Sequence, residues 1–254
     1  MSLSTLILLI ILFFVTSIVG VVTGSNSLIT VPVMFQFGID EKVAVATNMF
    51  GLTFMSIGGT IPFVRQGRID YRKVSPLIVL TIVSSALGAV LVGLITNQSL
   101  KLLVSIGMIT VVIFTLVKRD AATATDDSVS RGAFLITSIL TFLLGVYGGL
   151  YSGGYVTMLT AAYVAFFGMS FTEAVGSTKL INVFSSLVAT IIFMWQGLVD
   201  YKLGIILAVT MFAGAYIGAH YAAKMNEVWL KRIFLGTVFL LAVKMLYDLS
   251  GALA

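Results

Sequence analysis

The stretches "RQGRIDYR" at residues 65–72 and "WQGLVDYK" at residues 195–202 share the pattern Gln-Gly-x-x-Asp-Tyr, 130 positions apart. The same shift places "FGIDEKVAVATN" at 37–48 on "FGMSFTEAVGST" at 167–178 without a gap. Apolar composition alone does not align so specific a polar signature, so the chain is predicted to be an internal duplication. A polar stretch, "KRDAATATDDSVSR" at 118–131, separates the two copies.

The composition is typical of a protein embedded in lipid. Of the 254 residues, 59% are hydrophobic and 10% charged, whereas soluble domains carry about 25% charged residues. An all-α polytopic fold with about eight transmembrane helices is predicted, because eight apolar segments have roughly the length that crosses a ~30 Å hydrocarbon core. These segments are 4–23, 43–64, 73–95, 100–117, 132–150, 174–195, 203–223 and 228–247. The shorter apolar stretches 27–37 and 156–167 are predicted to be broken or re-entrant helices.

The duplication divides the chain into a first transmembrane repeat over 1–117 and a second over 132–254, joined by the polar linker. Loop 65–73 carries four basic residues, and its counterpart 195–202 carries a single lysine. In the second repeat the positive charge has moved to loop 224–232. Because basic loops stay in the cytoplasm, this exchange predicts repeats of opposite orientation. Many secondary transporters are built from inverted repeats with interrupted helices.

Each repeat interrupts its apolar pattern twice with small polar residues. The first breaks are "GSNS" at 24–27 and "YSGG" at 151–154, and the second breaks are "ATN" at 46–48 and "GSTK" at 176–179. Polar, non-helical backbone persists in lipid only beside a cavity, and a helix start favours an anion. The breaks are therefore predicted to meet at a small-oxyanion site; close packing of small residues is the alternative. The predicted donors are Ser25, Asn26, Thr47, Asn48, Ser177 and Thr178.

A single lysine stands out in the second repeat. Lys179 lies in "AVGSTKLINVFSS", residues 174–186, with no acidic residue at helical spacing. An ionisable residue at the centre of a membrane helix costs about 2.5–3.5 kcal/mol and marks a functional site by default. Asn182 and Ser186 continue its helical face, so Lys179 is predicted to face the anion. The alternative is that its side chain extends to the membrane interface.

Several stretches together have a familiar pattern: the break followed by "LITVPVMFQFG", then "AVATN", "GSTKLINVFSS" and the repeated "QGxxDY(R/K)". They resemble the TauE/SafE sulfite exporter family of membrane anion transporters over nearly the whole chain. The resemblance implies duplicated helical halves around a central pathway, and transport of sulfite, thiosulfate-like anions, organosulfonates or other organic anions. Carried onto this chain, the family's binding stretches fall on Ser25, Asn26, Ser27, Ser152, Gly153, Gly154, Ser177, Thr178, Lys179 and Asn182.

The leading hypothesis is a multi-pass carrier or facilitator in the cytoplasmic membrane that moves a small sulfur-containing oxyanion, such as sulfite or an organosulfonate. Two alternatives stay open: an intramembrane enzyme that uses Ser177 and Lys179, and a membrane subunit without transport activity. With no cysteine and one histidine, the chain is expected to need no cofactor or metal. The expected partners are the anion and the lipid bilayer, not nucleic acid, and a homo-oligomer is left open.

Overall fold

A computed structural model describes residues 3–24, 26–100, 102–104, 106, 131–226, 228–233 and 236, and all regular secondary structure within them is α-helical. Eight helices are described from end to end: α1 (Leu3–Thr23), α2 (Ser27–Gln36), α3 (Glu41–Arg65), α4 (Tyr71–Leu94), α5 (Arg131–Leu150), α6 (Tyr155–Phe166), α7 (Phe171–Trp195) and α8 (Tyr201–Ala222).

Six of these helices are long and apolar enough to cross a membrane, namely α1, α3, α4, α5, α7 and α8. They confirm six of the eight predicted spans; the other two, 100–117 and 228–247, lie mostly outside the described residues. The helices α2 and α6 have 10 and 12 residues. At ~1.5 Å per residue each covers about half of a ~30 Å hydrocarbon core, so the prediction of two short apolar helices is confirmed.

The repeated Gln-Gly-x-x-Asp-Tyr pattern forms the turn between consecutive long helices. Gly67 and Gly197 have φ angles of 63° and 70° and follow the last turns of α3 and α7, where a left-handed residue ends a helix. Three residues later, Asp70 and Asp200 accept hydrogen bonds from backbone N–H groups at the starts of α4 and α8. The pattern therefore ends one helix and caps the next.

The central helices α3 and α7 each have 25 residues and run antiparallel. The ammonium of Lys73 lies 3.6 Å from the carboxylate of Glu173, which places the turn after α3 beside the start of α7. At the other end, the N–H of Asp200 donates to Thr47 Oγ1 at 3.0 Å, so the turn after α7 lies beside the start of α3. The central residues of both helices therefore lie midway between these two turns.

The remaining long helices pack around this pair. Helix α8 packs on α3 and α1, α4 packs on α7 and α5, and each short helix lies on the central helix that follows it. Two of these crossings depend on glycine: a side chain at Gly218 would overlap the Ile18 carbonyl of α1, and one at Gly149 would overlap the Ser85 backbone of α4. Small residues at such crossings let membrane helices gain close van der Waals contact, which replaces the hydrophobic effect within lipid.

Candidate functional site

A small cavity lies between α3 and α7, near the middle of both helices. Its volume is about 10 Å³, which is room for about one water molecule. Five helices and both first breaks contribute to its wall, so residues before and after the polar linker build it together. The lining residues are Gly20, Gly24, Asn26, Ser27, Leu52, Met55, Ser152, Val156, Lys179 and Asn182.

The structure brings the two first breaks into direct contact beside this cavity. The phenol of Tyr151 donates to the carbonyl oxygen of Ser27 at 3.0 Å, and Thr157 Oγ1 donates to the carbonyl oxygen of Thr23 at 2.5 Å. Gly24 adopts a φ of 71° and packs against the backbone N–H of Thr157, where a side chain would overlap. The starts of α2 and α6 therefore face each other across the cavity.

Lys179 is buried in the interior of the protein. Only 3% of its surface is exposed, and it lies eight residues beyond Phe171, the first residue of α7. Its ammonium donates to the carbonyl oxygen of Gly20 at 3.2 Å. Among the described residues, no carboxylate lies within 4.0 Å of it. The cavity wall thus contains a cation whose only described acceptor is a neutral carbonyl.

Asn26 is the second unsatisfied polar group in the cavity wall. It is 3% exposed, and neither Oδ1 nor Nδ2 has a hydrogen-bond partner in the described part of the chain. Asn26 does not cap the helix that follows: its backbone is already helical (φ −52°), and its side chain makes no capping hydrogen bond. A buried amide without partners loses about 1–3 kcal/mol of hydrogen bonding, which a ligand can restore.

The second breaks interrupt the apolar pattern but not the helix, because α3 and α7 run through them without a gap. Their threonine side chains form hydrogen bonds within the protein, so the backbone of these stretches can stay helical. Thr47 Oγ1 accepts from the N–H of Asp200, and Thr178 Oγ1 lies 2.9 Å from both Thr160 Oγ1 and a carbonyl one turn earlier. Neither threonine belongs to the cavity lining, and the expectation of non-helical backbone at these second breaks is wrong.

Two asparagines occupy different positions relative to the cavity. Asn182 lines it and donates from Nδ2 to Ser56 Oγ at 2.6 Å. Asn48 lies one layer behind: its Nδ2 donates to Ser27 Oγ at 2.9 Å and its Oδ1 accepts from Thr30 Oγ1 at 2.8 Å. Asn48 therefore positions Ser27, which itself lines the cavity.

Some of the other predicted site residues line the cavity and some do not. Ser152 lines the cavity, and Gly153 and Gly154 form the turn before α6, with Gly154 at a φ of 76°. The hydroxyl of Ser177 is buried without a hydrogen-bond partner among the described residues, and Ser177 does not line the cavity. Ser25 lies outside the described residues.

Sequence reasoning missed the apolar part of the wall, which consists of Leu52, Met55 and Val156. Such residues look like any others in a membrane helix. The repeated sequence pattern did carry a signal, because Leu52 occupies the position 130 residues before Asn182. A counterpart of a predicted polar site residue is itself a candidate for the site.

A family model described as "Sulfite exporter TauE/SafE" matches residues 8–245. The chain belongs to this family. The resemblance inferred from the sequence motifs is thereby confirmed, and the chain is a multi-pass membrane protein of the TauE/SafE family.

Relatives from several bacteria match the chain along nearly its full length. "Probable membrane transporter protein ORF9" of Sinorhizobium sp. is 24% identical over 92% of this chain and 90% of its own. "Probable membrane transporter protein YfcA" of Escherichia coli K12 is 25% identical over 96% and 92%. "Probable membrane transporter protein YdhB" of Bacillus subtilis is 23% identical over 89% and 94%. No solved structure matches the chain.

Proposed function

We propose that this TauE/SafE protein is a transporter that moves a small, sulfur-containing oxyanion, such as sulfite or an organosulfonate, through the central cavity. The observation that carries the proposal is the Lys179 ammonium, buried in the protein interior with a carbonyl as its described partner. A buried charge without a counter-ion costs several kcal/mol, which an anionic ligand offsets. The substrate class is also the one that the family description prints.

The surroundings of Lys179 favour an anion as well. The short helices α2 and α6 both begin at the cavity, and a helix N-terminus carries roughly half a positive charge. Asn26 offers a buried amide without a partner, directly beside the start of α2. Pairs of short helices whose positive ends meet an anionic substrate near the bilayer midplane are a recurring transporter design.

The helix bounds support an inverted duplication, with repeats over 1–117 and 132–254. Helices α3 and α7 begin and end 130 positions apart, and α4 and α8 begin 130 positions apart. Among the described residues, the six glycines with positive φ also form three pairs at this spacing: 24 and 154, 38 and 168, 67 and 197. Since α3 and α7 are equivalent by sequence and antiparallel in space, the repeats have opposite orientations. We place the basic loop 65–73 in the cytoplasm.

The cavity is too small for an oxyanion in this conformation, because it holds about one water molecule. Binding therefore requires the wall to move. In inverted-repeat transporters one half rocks against the other around a fixed site, and here the wall is shared by both halves. We infer that the described conformation is a closed one, from which movement of α3 against α7 opens the site.

The geometry argues against the enzyme alternative. Residues two positions apart on a helix do not face each other, so Ser177 and Lys179 on α7 point in different directions. Lys179 lines the cavity and Ser177 does not. A serine nucleophile must lie within hydrogen-bond reach of its base, a requirement this arrangement does not meet.

Uptake of ³⁵S-sulfite by proteoliposomes that contain the purified protein tests the proposal. We expect uptake above that of empty liposomes, saturation with sulfite, and loss of most uptake in Lys179→Met. Lys202→Met is the matched control, because Lys202 is exposed and lies outside the cavity lining. Uptake equal to empty liposomes for sulfite, methanesulfonate and thiosulfate alike would refute the proposed substrate class.

A further inference from the structure

The walls of the central cavity differ in polarity from one side to the other. Helix α7 presents Lys179 and Asn182, and the adjoining breaks present Asn26, Ser27 and Ser152. Helix α3 presents Leu52 and Met55, which lie three residues apart and so share one face of the helix.

The two walls differ in polarity at positions that correspond to each other in the two halves of the sequence. Residues 52 and 55 of α3 correspond to Asn182 and Ser185 of α7 at the 130-residue spacing. Where α7 has an amide and a hydroxyl, α3 has Leu52 and Met55, which are 4% and 3% exposed. Val156 of α6 extends this apolar wall.

We propose that Leu52 and Met55 are specificity determinants that admit oxyanions with oxygens on one face only and disfavour oxyanions such as sulfate, which have an oxygen at all four corners. The inference rests on the proposed function. A pyramidal –SO₃ group directs its three oxygens to Lys179 and the amides. Its fourth corner, a sulfur lone pair in sulfite or an alkyl carbon in a sulfonate, faces α3.

Sulfate differs from sulfite at that fourth corner. With three oxygens on the polar wall, its remaining oxygen is buried against Leu52 and Met55, which offer no donor. A buried acceptor without a hydrogen-bond partner weakens binding of the anion that carries it by roughly 5–150-fold. Thiosulfate has the tetrahedral shape of sulfate but a weakly accepting sulfur at the fourth corner, so it separates exclusion by polarity from exclusion by size.

Calorimetric titration of the purified full chain with sulfite, sulfate and thiosulfate tests the proposal. Near neutral pH sulfate and thiosulfate are both dianions, so total charge does not distinguish these two. We expect sulfite and thiosulfate to bind about tenfold or more tightly than sulfate. Leu52→Asn, which installs the residue of the α7 counterpart, should bring sulfate to within about threefold of sulfite, and Leu52→Met should leave the preference unchanged.

Met55→Gln provides a second route if Leu52→Asn does not fold, because it changes polarity with little change in shape. Sulfate binding as tight as sulfite binding in the unmodified chain would overturn the inference and leave the proposed function intact. A sulfite preference that survives both Leu52→Asn and Met55→Gln would also overturn it. If none of the three anions binds, the proposed function fails together with this inference.

Discussion

Replacing Lys179 by methionine removes the charge and keeps a flexible apolar stem of similar length. In the structure the ammonium is buried and donates to the Gly20 carbonyl at 3.2 Å. A bound oxyanion would give it a charged partner, and a hydrogen bond to a charged group contributes about 1.5–3 kcal/mol. Lys179→Met should therefore weaken sulfite binding roughly 10- to 150-fold.

The same substitution should not destabilise the protein without ligand. The ammonium has no described carboxylate partner, and its removal relieves the desolvation of a buried charge. The thermal midpoint without sulfite should stay the same or rise. The increase that sulfite produces should shrink, because ligand stabilisation follows the ratio of ligand concentration to Kd.

The assay is calorimetric titration with sulfite beside thermal unfolding in detergent. Lys179→Arg should keep part of the affinity, since guanidinium retains the charge but presents its donors in a different geometry. Lys202→Met, at the exposed start of α8, should match the unmodified chain in both measurements. Unchanged sulfite affinity in Lys179→Met would refute the role assigned to this lysine.

Three further predictions follow from the fold and from the polar layer behind the cavity. Single cysteines at Gln66 and Gln196 should react with an impermeant thiol reagent from opposite sides of the membrane; labelling from one side would exclude the inverted arrangement. Gly24→Ala should lower stability by more than 1 kcal/mol, roughly the cost of a left-handed alanine, because a Cβ there also meets backbone and side-chain atoms. Gly38 has a similar φ of 76° and open space around it, so Gly38→Ala should show only the conformational cost. An equal loss of stability in the two variants would refute the argument that Gly24 is crowded. Asn48→Leu should lower stability by roughly 1–3 kcal/mol and weaken sulfite binding, because two buried hydroxyls lose their amide partner; an unchanged thermal midpoint would contradict this.

Hydropathy was sufficient to predict the six long helices, because it is encoded locally. Span length depends on apolar run length, and the turn between spans depends on Gln-Gly-x-x-Asp-Tyr, whose glycine and aspartate have separate structural roles. The inward position of Lys179 was predictable for a similar reason: no acidic neighbour on its helix could pair with it. The spans 100–117 and 228–247 stay predictions.

The polar residues at 46–48 and 176–179 show where sequence reasoning failed. A cluster of threonine, asparagine and glycine predicts a break, but hydroxyls inside a membrane helix can bond to a carbonyl one turn earlier and leave the helix intact. Thr178 does this, and Thr47 bonds to a neighbouring turn. Which polar residues reach the cavity depends on helix rotation and tertiary packing, and spacing along the chain does not determine these.

The apolar wall of the cavity could not be predicted from the sequence, for a different reason. Leu52 and Met55 lie in a helix where most residues are apolar, so composition does not distinguish a cavity-lining leucine from a lipid-facing one. Only the convergence of α3, α6 and α7 shows that they face Lys179 and Asn182.

The central claim is that the anion binds between the two first breaks at Lys179. A crystal structure of the protein grown with selenite tests it most directly, because anomalous scattering locates the selenium atom without reference to the surrounding density. The account predicts a selenium peak in the central cavity, with its oxygens within about 4 Å of Lys179 Nζ and in contact with the Asn26 side chain. Selenite bound elsewhere, with the Lys179 ammonium still on the Gly20 carbonyl, would contradict it.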